Sequence, residues 1–261
     1  MKWMKTKLKE DEVIHELLGY KNIKIIQNEQ MFRFSIDSML LGSFVEIKDR
    51  FKEIIDLGCG NAPIPLYLSL KTKAHIVGVE IQDDVFDLAM RSVSLNKLDD
   101  QIEIINDNLI DIHKKIGANR FDCVTSNPPY FKYVESSNVN KNDYLTIARH
   151  EVLSTLNDIV QEAKKLLIDG GYFYIVHRAE RLTEIIQTIE NNCFNIKRMR
   201  FVYSRKESKE ALLVLIEARK NSNPGLKILN PLFIYDDNGE YSQEVKSCFN
   251  LKKTKNIEWI N

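Results

Sequence analysis

Asn127-Pro128-Pro129-Tyr130 is the stretch of this 261-residue chain with the clearest chemistry. It follows Phe121-Asp122-Cys123-Val124-Thr125-Ser126, a run with strand character. An amide-type or ring-bound NH2 is a poor nucleophile, because its lone pair is delocalised. Two acceptors, the Asn127 side-chain oxygen and the Pro128 carbonyl, can take its two N–H bonds and free the lone pair. Pro128 and Pro129 fix the backbone and remove competing N–H donors. Tyr130 offers a flat face for a planar substrate. The same four letters also make an ordinary turn after a strand, so a second motif upstream decides the weight given to them.

Glu53-Ile54-Ile55-Asp56-Leu57-Gly58-Cys59-Gly60-Asn61-Ala62 reads as a buried strand running into a glycine loop, with a helix from about Pro63 to Leu70. Glycines there let the backbone approach a ligand closely. Pro63 stands where a dinucleotide fingerprint needs its third glycine, and no Gly-Lys-Ser/Thr follows, so nicotinamide, flavin and P-loop sites fit poorly. Asp56 repels a pyrophosphate and attracts an ammonium group. One strand later, in His75-Ile76-Val77-Gly78-Val79-Glu80, Glu80 falls about 20 residues past the glycines, where a carboxylate accepts from both ribose hydroxyls. A third strand, Ile102 to Asn106, runs into Asp107 and Asn108, and Asp107 suits an adenine amino group. Each acid alone also fits a helix N-cap or a solvated turn. In this order, the three strand ends converge on the carboxyl edge of a parallel sheet.

The elements that must position these residues follow from periodicity. Strand-like runs sit at 53–57, 75–80, 101–106, 121–126, 171–177, 195–204 and 211–218, and helical patterns at 63–71, 83–97, 109–116, 155–169 and 179–191. In the fourth helix Leu156, Ile159, Val160, Ala163, Leu166 and Leu167 share a face, and Asp169-Gly170-Gly171 stops it. The alternation predicts an α/β fold with a doubly wound, mostly parallel sheet of seven strands. The last two runs have only a short polar link, Arg205 to Glu210, and form an antiparallel C-terminal hairpin. Residues 1–50 form an N-terminal segment before a core at 51–220, with a polar helix near 10–18, a strand pair near 23–34, and a helix capped by Ser35 or Asp37. Residues 221–261 form a small C-terminal appendage with a strand pair around 226–235 and an Asn238-Gly239 turn. The polar stretch 132–147 suits a substrate-facing loop.

Composition narrows the classes. At 44% apolar the chain can bury one large core. It has no run of eighteen apolar residues and no apolar run after its N-terminal lysines, so neither a membrane span nor a secretory signal is expected. Cys59, Cys123, Cys193 and Cys248 are far apart, which disfavours a metal cluster or disulfide scaffold and suits a reducing, cytoplasmic setting. The formal net charge is zero. It is unevenly spread: 8 basic against 12 acidic residues over 51–130, and 15 against 12 over 131–220. The strip Lys197-Arg198-Met199-Arg200-Phe201-Val202-Tyr203-Ser204-Arg205-Lys206 carries five cations and no acid. It suits a phosphate backbone or, equally, a strand with solvated cations.

Asp56 through Ala62 resembles motif I of class I S-adenosylmethionine-dependent methyltransferases, and Asn127 through Tyr130 resembles motif IV of their amino-methylating branch. Motif I preceding motif IV matches the order in RNA-acting and glutamine-acting members. Phe32-Arg33-Phe34-Ser35-Ile36-Asp37-Ser38-Met39-Leu40-Leu41 and Ala148-Arg149-His150-Glu151 resemble the bacterial tRNA(Val) adenine-37 N6-methyltransferases, a likeness running from about Asp11 to Tyr241. Ala62 departs from the last motif I glycine, a single added methyl that the loop is expected to tolerate.

The resemblance implies a seven-stranded sheet ending in a hairpin. It implies S-adenosylmethionine across the first three strand ends, held by Asp37, Asp56, Gly58, Gly60, Asn61, Glu80, Asp107, Asn108 and Asn127, with the N-terminal segment folded over it. The acceptor would be an adenine of tRNA, in its anticodon stem-loop. Asn127 and Pro128 would grip N6, Pro129 would hold the turn and Tyr130 would stack. Arg149 and His150, with Lys197, Arg198, Arg200, Arg205 and Lys206, are the candidate RNA contacts, although an ion pair of Arg149 with Glu151 fits equally. A monomer using no metal, covalent intermediate or general base is expected. Glutamine methylation of a release factor is the main rival, although those enzymes usually carry an N-terminal helical domain for which 50 residues look short. Guanine N2 methylation of ribosomal RNA and a non-catalytic RNA scaffold are further alternatives.

Overall fold

The computed structural model describes residues 8–17, 20–31, 35–130 and 154–249. Short β-branched runs separated by amphipathic helices build the sheet. β1 (Glu12–Leu17), β2 (Tyr20–Asn28) and α1 (Ile36–Phe44) come first, followed by β3 (Glu53–Leu57), α2 (Pro63–Ser69), β4 (His75–Glu80), α3 (Asp83–Leu95), β5 (Ile102–Asn106), α4 (His113–Ile116) and β6 (Phe121–Ser126). α5 (Leu156–Leu166), β7 (Leu167–Arg178), α6 (Leu182–Asn191), β8 (Phe194–Tyr203), β9 (Leu213–Lys220), β10 (Lys227–Ile228), β11 (Leu232–Phe233) and α7 (Gln243–Cys248) complete it.

The main sheet runs β5-β4-β3-β6-β7-β9-β8, with β10 and β11 on the outer edge of β8. β3 pairs in parallel with β4 and β6, and β7 continues the parallel set beside β6. β9 runs antiparallel between β7 and β8. The chain therefore winds outward from β3 in one direction and from β6 in the other, which opens a crevice between their carboxyl ends. Successive residues of β3 face opposite sides: Ile54 joins the core beneath α1 and α2, while Ile55 and Leu57 join the core beneath α5 and α6.

The expected seven strands and C-terminal hairpin are present, and several details differ. The segment near 10–18 is a strand, not a helix. β1 pairs antiparallel with β2, and tertiary pairing overrides its weak helical pattern. This hairpin docks on α3, where the Arg91 guanidinium binds Glu12 and the Ile26 N–H donates to Ser92 Oγ at 2.9 Å. Helix 155–169 ends at Leu166, where β7 begins. Gly170, at φ +73, lies where the β6–β7 register shifts, so the glycines form a bulge inside a strand and do not cap a helix. Helix 109–116 shrinks to α4, because Asp111 sits at φ +63. The two strands near 226–235 do not pair with each other, since both add to β8. α7 had no counterpart among the expected elements.

α1 is built into the core: Met39, Leu40 and Leu41 are buried there. Its carboxyl end is closed by Lys71, whose Nζ donates to the carbonyls of Gly42, Ser43 and Val45. Burial pushes this ammonium down to about 8. Lys71→Met keeps the apolar stem but strands those carbonyls, and is expected to lower stability by about 1–3 kcal/mol in urea denaturation. An unchanged midpoint would contradict the capping role.

Candidate cofactor and acceptor site

The crevice between β3 and β6 is a cavity whose walls come from four strand ends. Gly58, Gly60 and Asn61 form one side, Glu80 and Gln82 the next, then Asp107 and Asn108, and finally Asn127, Pro128 and Pro129. The glycine loop bends over β4, and the N–H groups of Gly58 and Cys59 both donate to the Val79 carbonyl. Gly58 and Gly60 have φ of +71 and +57, and a Cβ on either would meet no protein atom within 4 Å. Such space beside an exposed backbone is a cradle for a ligand. Ala62 also takes the left-handed conformation, at φ 71, so the departure from glycine is accommodated with backbone strain of about 1 kcal/mol.

Glu80 is buried, and its carboxylate accepts from the Gly60 N–H at 3.0 Å and the Gln82 N–H at 2.9 Å. Lone pairs remain for ligand hydroxyls. Burial pushes its carboxyl up, against these backbone donors. Gln82 Oε1 is a buried acceptor with no partner. On the third strand end, Asp107 accepts from the Asn108 N–H and pairs with Lys115, which holds it below the usual carboxylate range.

Asp56 departs from its expected place at the loop mouth. It is 1% exposed and turned toward β6, where Oδ1 accepts from the Thr125 hydroxyl at 2.6 Å and Oδ2 has no partner. Burial pushes it up to about 7 against that hydrogen bond, and the nearby Glu80 charge adds to the rise. Two crowded carboxyls beneath the loop favour a cationic ligand over an anionic one. Asn61 lines the cavity and uses its side-chain Nδ2 to hold the Ile26 carbonyl of β2 at 2.9 Å.

Asn127 is gripped from α1. Its Nδ2 donates to Ser38 Oγ at 2.9 Å, and its Oδ1 lies 2.8 Å from the Tyr130 hydroxyl. That hydroxyl also lies 2.7 Å from Asp37 Oδ2. One phenolic proton serves two acceptors, so Asn127 Oδ1 keeps acceptor capacity. No donor engages the Pro128 carbonyl among the described residues. Tyr130 does not line the cavity. Its ring lies 5.3 Å from that of His177, and its carbonyl accepts from Arg181 Nη1 at 2.9 Å. In this conformation its hydroxyl braces Asn127, a contact that the expected stacking role did not include. Asp37 likewise caps no helix end; its carboxylate goes to Tyr130.

The basic strip does not form a continuous phosphate surface. Arg198 is turned inward onto Glu217, Glu46 and the Phe44 ring, and Arg200 onto Glu244 and the Asn230 carbonyl. Lys197 reaches the Asn223 carbonyl. Arg205 and Lys206 are exposed in the β8–β9 turn. These inward cations sit in a strand that packs on both faces, which the run of charges alone did not reveal. Arg149, His150 and the loop 132–147 lie outside the described residues. Ser38, Gln82 and His177 were missed; their signal was position, beside a motif or at a strand end. Among the described residues one His–carboxylate cluster, Asp111, His113 and Glu162, lies close enough for a shared ion. Its Glu162 carboxylate already accepts from the His113 ring and from two backbone N–H groups.

The fold and site define a Rossmann-like methyltransferase. Residues 25–202 match the methyltransferase small domain family; the chain belongs to that family, and its methyl donor is S-adenosylmethionine. The unpartnered Gln82 oxygen, the Glu80 carboxylate and the open glycine cradle fit that ligand. A tRNA1(Val) (adenine(37)-N6)-methyltransferase from Actinobacillus pleuropneumoniae is 24% identical over 230 residues, covering 87% of this chain and 92% of its own. One of the same name from Trichodesmium erythraeum is 30% identical over 168 residues, 62% of this chain and 67% of that protein. Among solved structures, a predicted O-methyltransferase from Agrobacterium tumefaciens superposes with a TM-score of 0.65 at 21% identity, covering 82% of this chain and 95% of that one. A tRNA m1G37 methyltransferase from M. jannaschii reaches 0.57 at 14% identity, covering 82% and 55%. Both likenesses are of fold. No helix among the described residues is long and apolar enough to cross a membrane.

Gly60→Ala places a methyl in the cradle. It is expected to weaken S-adenosylmethionine binding at least tenfold by calorimetry, while the left-handed strain costs only about 1–2 kcal/mol of stability. Undiminished affinity would contradict the cradle. Asp56 keeps its proton to about pH 7 when folded, from 3.8 as its ordinary value. Its stabilising contribution is therefore complete below about pH 4 and is lost as pH rises toward 7. Between pH 4 and pH 8 the wild type should lose roughly 3–4 kcal/mol relative to Asp56→Asn. Parallel pH profiles of the two proteins would contradict the burial of this carboxyl.

Proposed function

We propose that this enzyme methylates the N6 amino group of an adenine in tRNA, namely adenine 37 of tRNA(Val). The observation that carries this reading is that Asn127 and Pro128 line the same cavity as the glycine loop. The names of the relatives supply the nucleic acid and the base.

When bound, S-adenosylmethionine supplies an electrophilic methyl group on a sulfonium. Gly58 and Gly60 admit it against the backbone, Glu80 and Gln82 accept from its ribose hydroxyls, and Asp107 and Asn108 face its adenine. Ser38 fixes the Asn127 amide, so that Oδ1 and the Pro128 carbonyl accept from the two N–H bonds of the acceptor amine. As N6 donates to Asn127 Oδ1, the Tyr130 hydroxyl keeps its proton and donates its hydrogen bond to Asp37 Oδ2 alone. Stacking of Tyr130 on the target ring would require its hydroxyl to leave Asp37. Placement and charge stabilisation carry the barrier; the S–CH3 bond breaks as the N6–CH3 bond forms, the donor would leave as the neutral thioether, and the methylated amine would then lose its proton to solvent, so no residue is assigned as general base. Anticodon-loop bases are already unpaired, so extrusion costs only a few kcal/mol.

The test offers methyl-labelled S-adenosylmethionine with unmodified tRNA or with release factor, followed by digestion. N6-methyladenosine is expected at position 37 of tRNA(Val), and methylglutamine or unlabelled RNA would overturn the reading. Asn127→Ala is expected to lower transfer by roughly 100-fold or more, with cofactor affinity within a few-fold. Affinity lost in parallel would contradict its role as amine acceptor.

A further inference from the structure

Arg178 is the last residue of β7, at the carboxyl edge of the sheet. It lies among residues that hold the Asn127–Tyr130 segment. His177, just before it, packs its ring 5.3 Å from that of Tyr130. Arg181, three residues on, donates to the Tyr130 carbonyl. Alternation along β7 puts Arg178 on the side of Tyr174 and Val176, whose core includes α1. Its charge is felt at both Tyr130 and His177.

Among the described residues the guanidinium meets no carboxylate or carbonyl. Every other arginine among the described residues that is not exposed reaches a carboxylate or a carbonyl. Arg91 holds Glu12 and Asp87, Arg198 holds Glu217, Arg200 holds Glu244, and Arg219 holds the Gly170 carbonyl. Arg181 holds Glu184. Arg178 is half-buried, and its Nε is buried without a hydrogen bond. Desolvating a cation without an anion or acceptor is costly, and at the rim of an active site the missing anion belongs to a ligand. Arg178 is not among the residues that line the cofactor cavity, so the carboxylate of the methyl donor is not its natural partner. A nucleotide whose base enters the cavity leaves its phosphates at the rim, and the planar guanidinium fork matches phosphate oxygens two at a time.

We propose that Arg178 binds a backbone phosphate beside the nucleotide whose base enters the cavity, so that it positions the acceptor RNA and takes no part in holding the methyl donor. This inference rests on the tRNA reading above. Steady-state transfer to an unmodified tRNA(Val) transcript, over a range of potassium chloride concentrations, tests it with Arg178→Gln and Arg178→Lys. Arg178→Gln is expected to raise KM for tRNA about tenfold with kcat within about threefold, and to reduce the log–log salt slope by about 0.7–0.9. S-adenosylmethionine affinity and the thermal midpoint stay at their wild-type values. Arg178→Lys, which keeps the charge without the fork, recovers most of the slope and part of the KM. An unaltered KM and salt slope in Arg178→Gln, while the wild type methylates tRNA, would overturn this inference alone. Lost cofactor affinity would assign the guanidinium to the donor carboxylate, and loss of folding in both variants would make it a structural cation; either overturns it. A wild type inactive on tRNA would overturn the acceptor reading and this inference together.

Discussion

Leu57 lies opposite Ser126 in the parallel β3–β6 ladder, and the rest of the site depends on that register. Neighbouring strands run about 4.8 Å apart, so Gly58 and Asn127 leave the sheet side by side. A slip of one residue would turn every side chain of a strand to the other face. Two hydrogen bonds oppose it: the Ser126 hydroxyl donates to the Leu57 carbonyl at 2.9 Å, and the Thr125 hydroxyl donates to Asp56. The buried Asp56 is thus a register lock. Its unpartnered oxygen is a stability cost accepted beneath the glycine loop.

The N-terminal segment is built into the site's framework. α1 is part of the hydrophobic core, and two successive residues of it, Asp37 and Ser38, reach the acceptor motif through Tyr130 and Asn127. The β1–β2 hairpin holds the glycine loop through Asn61. Both halves of the site are therefore tied to residues that precede β3 in sequence. Orientation of the Asn127 amide is set by packing laid down at α1, and Lys71 secures the far end of that same helix.

Much of this was legible in the sequence where local chemistry and tertiary structure agree. Gly58, Gly60 and Glu80 follow a spacing dictated by strand, turn and helix lengths, and each strand of the core lies within a few residues of its expected place. The failures come where long-range contacts decide. Residues 12–17 form a strand because β2 lies beside them. Asp56 faces Thr125, which nothing in the local pattern reveals. Arg198 and Arg200 read as part of a strip facing a phosphate backbone or solvent, yet each finds an acid far away in sequence, Glu217 and Glu244. Tyr130 was expected to meet a substrate, and the neighbours it meets in this conformation, Asp37 and His177, come from distant segments on either side of it. Arg178 was invisible for the complementary reason: nothing in the local pattern shows that its Nε is buried without a partner among the described residues.

The central claim is that the methyl donor held by the β3 loop faces the amide at the tip of β6. An isotope-edited nuclear Overhauser experiment on the complex with S-adenosylmethionine carrying a 13C-labelled methyl group reads that distance directly. Cross-peaks from the labelled methyl to the Asn127 side-chain amide protons are the result predicted. A methyl group whose contacts all fall on residues away from Asn127 and Pro128 would contradict the account.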